Sequence, residues 1–211
     1  MIDRCAKDPL VYARFVKTRD EADADASVKP FPIDQPDVRQ FVTDIHREQK
    51  SAAAKSRQVM ATWSVCLYMT YVARFHDHRH VIFQTQKWDD AVEKVCMAGG
   101  ASAGGFTGRC QFIERHLPAW LKQKVVESEG RLMYPNGSMI EALAGGKDQI
   151  RGKTPSLIVL DEMAFLDEAK ATYTSIAPLI QKGTKFIAIS TPNGAEGNFY
   201  WHLFHGIPMA A

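Results

Sequence analysis

The chain has 211 residues, 45% of them apolar and 24% charged, and its 26 Lys and Arg against 24 Asp and Glu leave a net charge of +2. That length excludes a peptide, a toxin scaffold or a lone zinc module, and it suffices for one α/β domain with a buried core. The near-neutral balance excludes a globally basic nucleic-acid binder, so any polyanion contact has to be local, and a mean hydropathy of −0.23 without a long apolar run argues against a transmembrane helix.

Charges recur through the first 17 residues, which leaves no apolar stretch for a secretory signal. Apolar Cys5, Leu10, Val11, Ala13, Phe15 and Val16 mark a helix over residues 3–17 that Pro9 interrupts or starts. Thr18–Ser27 reads as a solvated connector, and Lys29-Pro30-Phe31-Pro32 as extended chain. Val38, Phe41, Val42 and Ile45 predict a helix from Asp34 to His46. Strands and helices then alternate: strand Ser51–Ala54, helix Trp63–Phe75, strand Val81–Gln84, helix Trp88–Met97. Gly99–Gly108 has the composition of a flexible loop. A helix over Arg109–Lys122 breaks at Pro118, and Pro135-Asn136-Gly137 joins strands Arg131–Tyr134 and Ser138–Leu143 in a hairpin. Leu157–Leu160 is a fully apolar strand and Phe186–Ser190 another apolar one, and the two flank a helix over Glu168–Ile180. This alternation predicts a mostly parallel sheet covered by helices on both faces, with an antiparallel hairpin added. Trp201–Ala211 offers no clear closing element.

Cys5, Cys66, Cys96 and Cys110 form no Cys-x-x-Cys pair and read as free thiols, small buried hydrophobes in a reducing compartment.

Three motifs carry chemistry. In Leu157-Ile158-Val159-Leu160-Asp161-Glu162 an apolar strand delivers two carboxylates at its C-terminal end, where ligands of open α/β sheets bind. The arrangement suits a nucleoside triphosphatase, Asp161 holding Mg²⁺ through water and Glu162 orienting the attacking water; alone, it fits a buried strand ending in solvated acids equally well. The second is Lys55-Ser56-Arg57-Gln58-Val59-Met60-Ala61-Thr62, between a strand and a helix. On the phosphate-loop pattern G-x-x-x-x-G-K-[ST], Thr62 supplies the metal-binding hydroxyl, while Ala61 replaces the lysine, Met60 the second glycine and Lys55 the first. A lysine at the loop's opening can reach the β/γ-phosphates from the other side, and backbone N–H groups still favour anions. A polar strand–helix turn is the alternative. The third is Ser190-Thr191-Pro192-Asn193-Gly194, whose hydroxyls and amide stand where a γ-phosphate is sensed, or which is a plain turn.

In this order the motifs resemble the large terminase subunit of tailed bacteriophages, the ATPase motor that packages DNA into procapsids. KSRQVMATW, the Arg-Gly of Gln149-Ile150-Arg151-Gly152, LIVLDEMAFLDE and ISTPNG carry the resemblance, which spans roughly Phe31 to Gly194. Several terminases also open a variant phosphate loop with lysine, as Lys55 does here. The resemblance implies an α/β P-loop NTPase fold of the ASCE type. It implies ATP bound by Lys55, Ser56, Arg57, Gln58, Val59, Met60, Ala61 and Thr62, with Gln40 in the place of an adenine-reading glutamine. Lys55 would contact phosphate, Arg57 would act as an arginine finger, Thr62 and Asp161 would hold Mg²⁺, and Glu162 would be the catalytic carboxylate. Ser190, Thr191 and Asn193 would couple hydrolysis to movement. Arg151 would be a DNA or phosphate contact, or an anchor for the loop before the Asp-Glu strand.

The implied function is Mg²⁺-dependent ATP hydrolysis driving double-stranded DNA into a procapsid, in the host cytoplasm at the portal. The portal protein and a small terminase subunit would be partners, with self-association in a ring. A helicase-type ATPase and a catalytically weak nucleotide-binding or scaffolding domain are the alternatives, the latter motivated by Met60 and Ala61. Residues 1–30 are expected to be an N-terminal helix and linker and 31–211 the motor. Family members carry a nuclease domain after the motor; 17 residues follow Gly194 here, so the chain reads as part of a longer protein from which no DNA cleavage is expected.

Other features are assigned less. His76, His78 and His80 read as a surface turn, because alternation alone does not orient a metal-ligand set. Trp63, Tyr68 and Tyr71 read as core, and Trp88, Trp120 and Trp201 as core or interface. Between Arg109 and Lys153, eight basic residues face five acidic ones, a mild excess that permits a phosphate-tracking patch.

Overall fold

The apolar run Leu157–Asp161 forms strand β8, buried at every position, and Lys185–Ser190 forms β9 beside it. Both lie inside a seven-stranded sheet of a computed structural model that describes residues 1–19, 28–55, 60–97, 107–194 and 198–206. The remaining strands are β3 (Lys50–Ala54), β4 (His80–Gln84), β5 (Val126–Ser128), β6 (Arg131–Met133) and β7 (Met139–Leu143). Their order is β3-β9-β8-β4-β7-β6-β5. The first five are parallel, and β6 and β5 continue the sheet antiparallel through the Pro135-Asn136-Gly137 hairpin. The hairpin needs Gly137 at φ +79, where a side chain would also strike His78 Nδ1 at 2.5 Å.

Side chains alternate across this sheet and divide the core in two. Val81, Phe83, Leu157, Val159, Ile187 and Ile189 face one layer of helices. That layer contains α3 (Pro36–Arg47), α4 (Ala61–Phe75) and α6 (Arg109–His116). Ile82, Ile158, Leu160, Phe186 and Ala188 face the other. There α7 (Ala169–Gln181) and α8 (Phe199–His205) pack. A short α5 (Trp88–Lys94) follows β4. α4 is buried nearly all round, which is why its sequence is apolar without a polar stripe. Trp63, Tyr68 and Tyr71 are core residues of it, at 5%, 3% and 2% exposure.

Several elements differ from the sequence reading. The expected helix over residues 3–17 is two helices, α1 (Ile2–Lys7) and α2 (Pro9–Ala13). Asp8 between them is extended, and its carboxylate accepts the Leu10 N–H at 2.8 Å, restarting the helix with Pro9 in its first turn. Cys5, Tyr12, Ala13 and Val16 join the same core layer as α4, tied by Tyr71 Oη donating to Ala6 O at 2.9 Å. The expected connector Thr18–Ser27 begins as strand: β1 (Lys17–Arg19) pairs antiparallel with β2 (Val28–Pro30). The expected helix Arg109–Lys122 ends at His116, because Leu117 turns extended before Pro118. α8 forms where no closing element was expected. Trp88 and Trp120 lie outside the core, 41% and 44% exposed; Trp88 covers Gly130, and Trp120 meets the edge of Phe15 at 4.9 Å between centroids. All four cysteines are buried free thiols. Most of the expected glycine-rich loop lies outside the described residues.

Candidate active site

The parallel strands bring their C-terminal ends to one edge, and their order decides which motifs meet there. β9 lies between β3 and β8, so Ala54 pairs with Ser190 and Ile189 with Asp161. Lys55 extends the β3 ladder by one residue, its N–H donating to Ser190 O at 2.9 Å. Alternation puts Lys55 and Asp161 on the sheet face that carries α4. The first turn of α4 presents Thr62 there, and its N-cap residue, Met60, gives no side-chain cap to the helix amides.

These residues converge on the Lys55 ammonium. Nζ donates to Asp161 Oδ1 at 2.6 Å and to Thr62 Oγ1 at 3.1 Å, and it stands 3.0 Å from Glu162 Oε1. The Lys55 and Asp161 side chains are 9% and 5% exposed, so this is a buried ion pair; Glu162 is 36% exposed. A hydroxyl and two carboxylates around one positive charge form an oxygen donor set of the kind that suits Mg²⁺. In this structure the Lys55 ammonium is the positive charge among these oxygens.

Glu162 adopts left-handed backbone, φ 51° and ψ 42°, unusual for a non-glycine residue. Its surroundings hold it there. Its N–H donates to Asp161 Oδ1 at 2.9 Å, while Oε2 accepts the Thr191 N–H and the Thr191 hydroxyl, each at 3.0 Å. Ser190 Oγ stands 3.3 Å from the same oxygen and accepts the Ala164 N–H at 3.1 Å. Burial pushes the Glu162 carboxyl up, but the Thr191 N–H and the Lys55 charge outweigh it and leave it below its ordinary value. Glu162 is therefore an anion at neutral pH, aimed from strand end toward the open edge.

The third motif wraps this centre. Asn193 Nδ2 donates to Ala164 O at 3.1 Å, in the single helical turn Met163–Phe165 that follows Glu162. Lys55, Thr62, Asp161, Glu162, Ser190 and Thr191 are thus brought together, with Asn193 further out. Ser56, Arg57, Gln58 and Val59 lie outside the described residues. Met60 is half-buried and Ala61 buried at the start of α4. Gln40 is exposed on α3, its amide donating to Asp44 Oδ1 at 2.9 Å; Arg39 beside it lines a cleft of about 340 Å³ with Arg4, Arg14 and Phe15. Arg151 is 69% exposed and pairs with Asp148 at 2.9 Å within the loop before β8.

The sequence reading missed two residues here. Tyr200, on α8, is 4% exposed. Burial pushes this phenol up, the Ser190 backbone partly opposes the rise, and the charges of Glu162 and Asp161 add to it. Asn198 Nδ2 donates to Asn193 O at 2.6 Å, and its Oδ1 caps α8. The asparagine before an aromatic run, with Gly206 after it at φ +66, was a readable helix start and stop. Elsewhere, His80 is taken up by Glu141 at 3.0 Å, and among the described residues no group of three His, Cys, Asp or Glu is placed to hold a metal ion.

No family model matches the sequence. Solved structures do match the fold. The ATPase domain of the large terminase of Thermus phage P74-26 aligns with a TM-score of 0.53 to 0.54 at 17% identity, over 78% of this chain and 68% of that one. The large terminase of bacteriophage HK97 aligns with a TM-score of 0.64 at 14% identity, over 92% of this chain. The large terminase of another thermophilic bacteriophage, in complex with ADP, aligns with 0.53 at 9% identity over 75%. The alignments span 39% of each of the latter two chains. The fold is that of the ATPase domain of phage large terminases, a P-loop NTPase fold, here with strand β9 between β3 and β8. No helix among the described residues is long and apolar enough to cross a membrane.

Proposed function

We propose that this chain is an ATP-hydrolysing motor domain of the terminase type, which uses ATP to drive double-stranded DNA into a procapsid. The observation that carries the reading is the convergence of Lys55 on Thr62, Asp161 and Glu162 at the open edge of the sheet. A buried lysine poised among a hydroxyl and two carboxylates is what a triphosphate site needs in order to bind both phosphate and its cation. Terminase folds of this kind, one of them with ADP, support the nucleotide as ligand.

ATP would lie across the first turn of α4, its phosphates against the helix amides and residues Ser56, Arg57, Gln58, Val59, Met60 and Ala61. Lys55 would turn from the carboxylates to the β/γ-phosphate oxygens. Thr62 and Asp161 would hold Mg²⁺, which supplies charge neutralisation on the β- and γ-phosphates when bound. Glu162 would orient the attacking water in line with the γ-phosphate, its ionised state and its two Thr191 bonds keeping the carboxylate aimed. Arg57 would meet the charge that develops on the transferred phosphoryl group. Ser190, Thr191 and Asn193 would register the loss of the γ-phosphate through Glu162. Gln40 would read the adenine.

At the scale of the machine, the chain would work in the host cytoplasm, in a ring on the portal protein with a small terminase subunit. The test pairs a nucleotide-binding titration with turnover measured with and without double-stranded DNA. Lys55→Ala and Glu162→Ala should each abolish turnover, and Glu162→Ala should still bind ATP. Full turnover by Lys55→Ala would overturn the assignment of the lysine. Absence of nucleotide binding by the folded wild-type chain would overturn the function.

A further inference from the structure

Helix α8 is attached to both halves of the candidate site. Its residues pack on β3, whose end carries Lys55, and on the helical turn that follows Glu162. Its first residues reach the Ser190–Gly194 segment through one side chain. Asn198 Nδ2 donates to Asn193 O at 2.6 Å and stands 3.4 Å from Gly194 O, while Oδ1 of the same amide accepts the Trp201 N–H at 2.8 Å. Asn193 in turn donates to Ala164 O, and Ala164 donates to Ser190 Oγ. A continuous set of hydrogen bonds therefore runs from the Glu162 carboxylate through Thr191, Ser190, Ala164 and Asn193 to the cap of α8.

We propose that Asn198 is a positioning residue that locks α8 to the Ser190–Gly194 segment, so that α8 moves with the state of Glu162. The inference rests on the nucleotide site proposed above. Glu162 Oε2 takes both Thr191 bonds, and any shift of that carboxylate toward a γ-phosphate-bound water must stretch them. The Thr191 backbone then carries Pro192 and Asn193 with it. The Asn198 amide passes that displacement to the helix because it grips the Asn193 carbonyl with one end and the helix amide with the other. Tyr200 supplies the second contact: it is buried on α8, which packs on β3 and on the turn after Glu162, so a rearrangement there changes the packing under α8. Interactions of this kind couple sites only where an element has two arrangements that both ends bias.

Trp201 makes the proposal measurable, since it lies on α8 with its ring 4.6 Å from that of His205. Its emission is isolated by subtracting the Trp201→Phe variant. In the wild-type chain this emission should differ between Mg²⁺ with a non-hydrolysable ATP analogue and Mg²⁺ with ADP. Asn198→Asp keeps the capping oxygen, at which aspartate serves as well as asparagine, but turns a carboxylate toward the Asn193 and Gly194 carbonyls. Asn198→Ser keeps a cap and lacks the amide donor. Both should melt within about 3 °C of wild type and bind nucleotide within about threefold. Both should lose the Trp201 difference, with kcat lowered roughly tenfold at nearly constant KM. Retention of the Trp201 difference in both variants, or its absence in a wild-type chain that binds nucleotide, overturns the proposal alone. Parallel losses of melting temperature, affinity and kcat would reduce Asn198 to a structural cap and overturn it too. Failure of the wild-type chain to bind nucleotide overturns the site on which it rests.

Discussion

Replacing Lys55 by methionine keeps the aliphatic stem and removes the ammonium from between three oxygens. Asp161 suffers most: it is 3% exposed, and its Oδ1 would retain only the Glu162 N–H among its described donors. Glu162 is 36% exposed and keeps both Thr191 bonds, so water and Thr191 absorb its share of the loss. Stripping one partner from a buried ion pair costs about 3–5 kcal/mol, because the remaining charge stays desolvated. At about 2–4 °C per kcal/mol for a chain of this size, the melting temperature should fall by roughly 6–20 °C.

Two further measurements decide whether this reasoning is right. Asp161→Asn alone should cost less than Lys55→Met, since the lysine keeps Glu162 as a partner. The double variant should recover much of the loss, a coupling of about 2–3 kcal/mol in the thermodynamic cycle. Mg²⁺ without nucleotide should then raise the melting temperature of Lys55→Met and leave wild type unmoved, because the ammonium no longer occupies the donor set. At a concentration ten times the dissociation constant the gain is about 1.4 kcal/mol. A Lys55→Met chain that melts with wild type, or a double variant no better than the single one, would refute the buried pair as the organising contact of the site.

A pH titration of stability tests Glu141, in the middle of β7. This carboxylate, 2% exposed, accepts from Lys153 at 2.9 Å, Arg131 at 2.7 Å and His80 at 3.0 Å. Burial pushes its pKa up and these three partners pull it down further, to below its ordinary 4.5. Its contribution is therefore complete above about pH 4.5 and lost as the pH falls through the lowered folded value. Urea unfolding should weaken across that window, and Glu141→Gln should flatten the dependence while costing roughly 1–3 kcal/mol at pH 7. Gly108→Ala should cost more than Gly194→Ala in the same assay. A methyl at Gly108 would sit 2.6 Å from backbone atoms of Val95 and Cys96, which cannot give way, whereas at Gly194 only the φ of +73 resists it, about 1–2 kcal/mol.

The elements legible in the sequence are those whose environment leaves a mark on composition. β8 and β9 are covered on both faces, so their positions are almost all apolar and the strands stand out. β4 and α4 read correctly for the same reason. β5 has three residues, two of them exposed, and nothing in Val126-Glu127-Ser128 records that β6 pairs with it. β1 and β2 are equally short, and their pairing spans a stretch of sequence that reads as connector. α8 was hidden by its chemistry: Phe-Tyr-Trp-His-Leu-Phe-His is poor in strong helix formers. Packing against β3 and the turn after Glu162 makes it a helix, and only its Asn198 and Gly206 punctuation was available beforehand.

The site divides along the same line. The order of the three motifs is enough to place Lys55, Thr62, Asp161 and Glu162 at one edge, because parallel strands share the direction of their C-terminal ends. Motif order does not reveal that β9 separates β3 from β8, and this separation determines the contacts. With β9 interposed, Thr191 reaches Glu162 laterally and Lys55 bonds to Ser190 through the backbone. The left-handed turn at Glu162 is likewise invisible in Leu160-Asp161-Glu162-Met163, since glutamate carries no preference for that conformation; the bonds to Asp161, Ser190 and Thr191 impose it. A residue that acts through such bonds, as Asn198 does, has no motif to announce it. Its role follows from which carbonyl its amide grips, and that is a property of the folded chain.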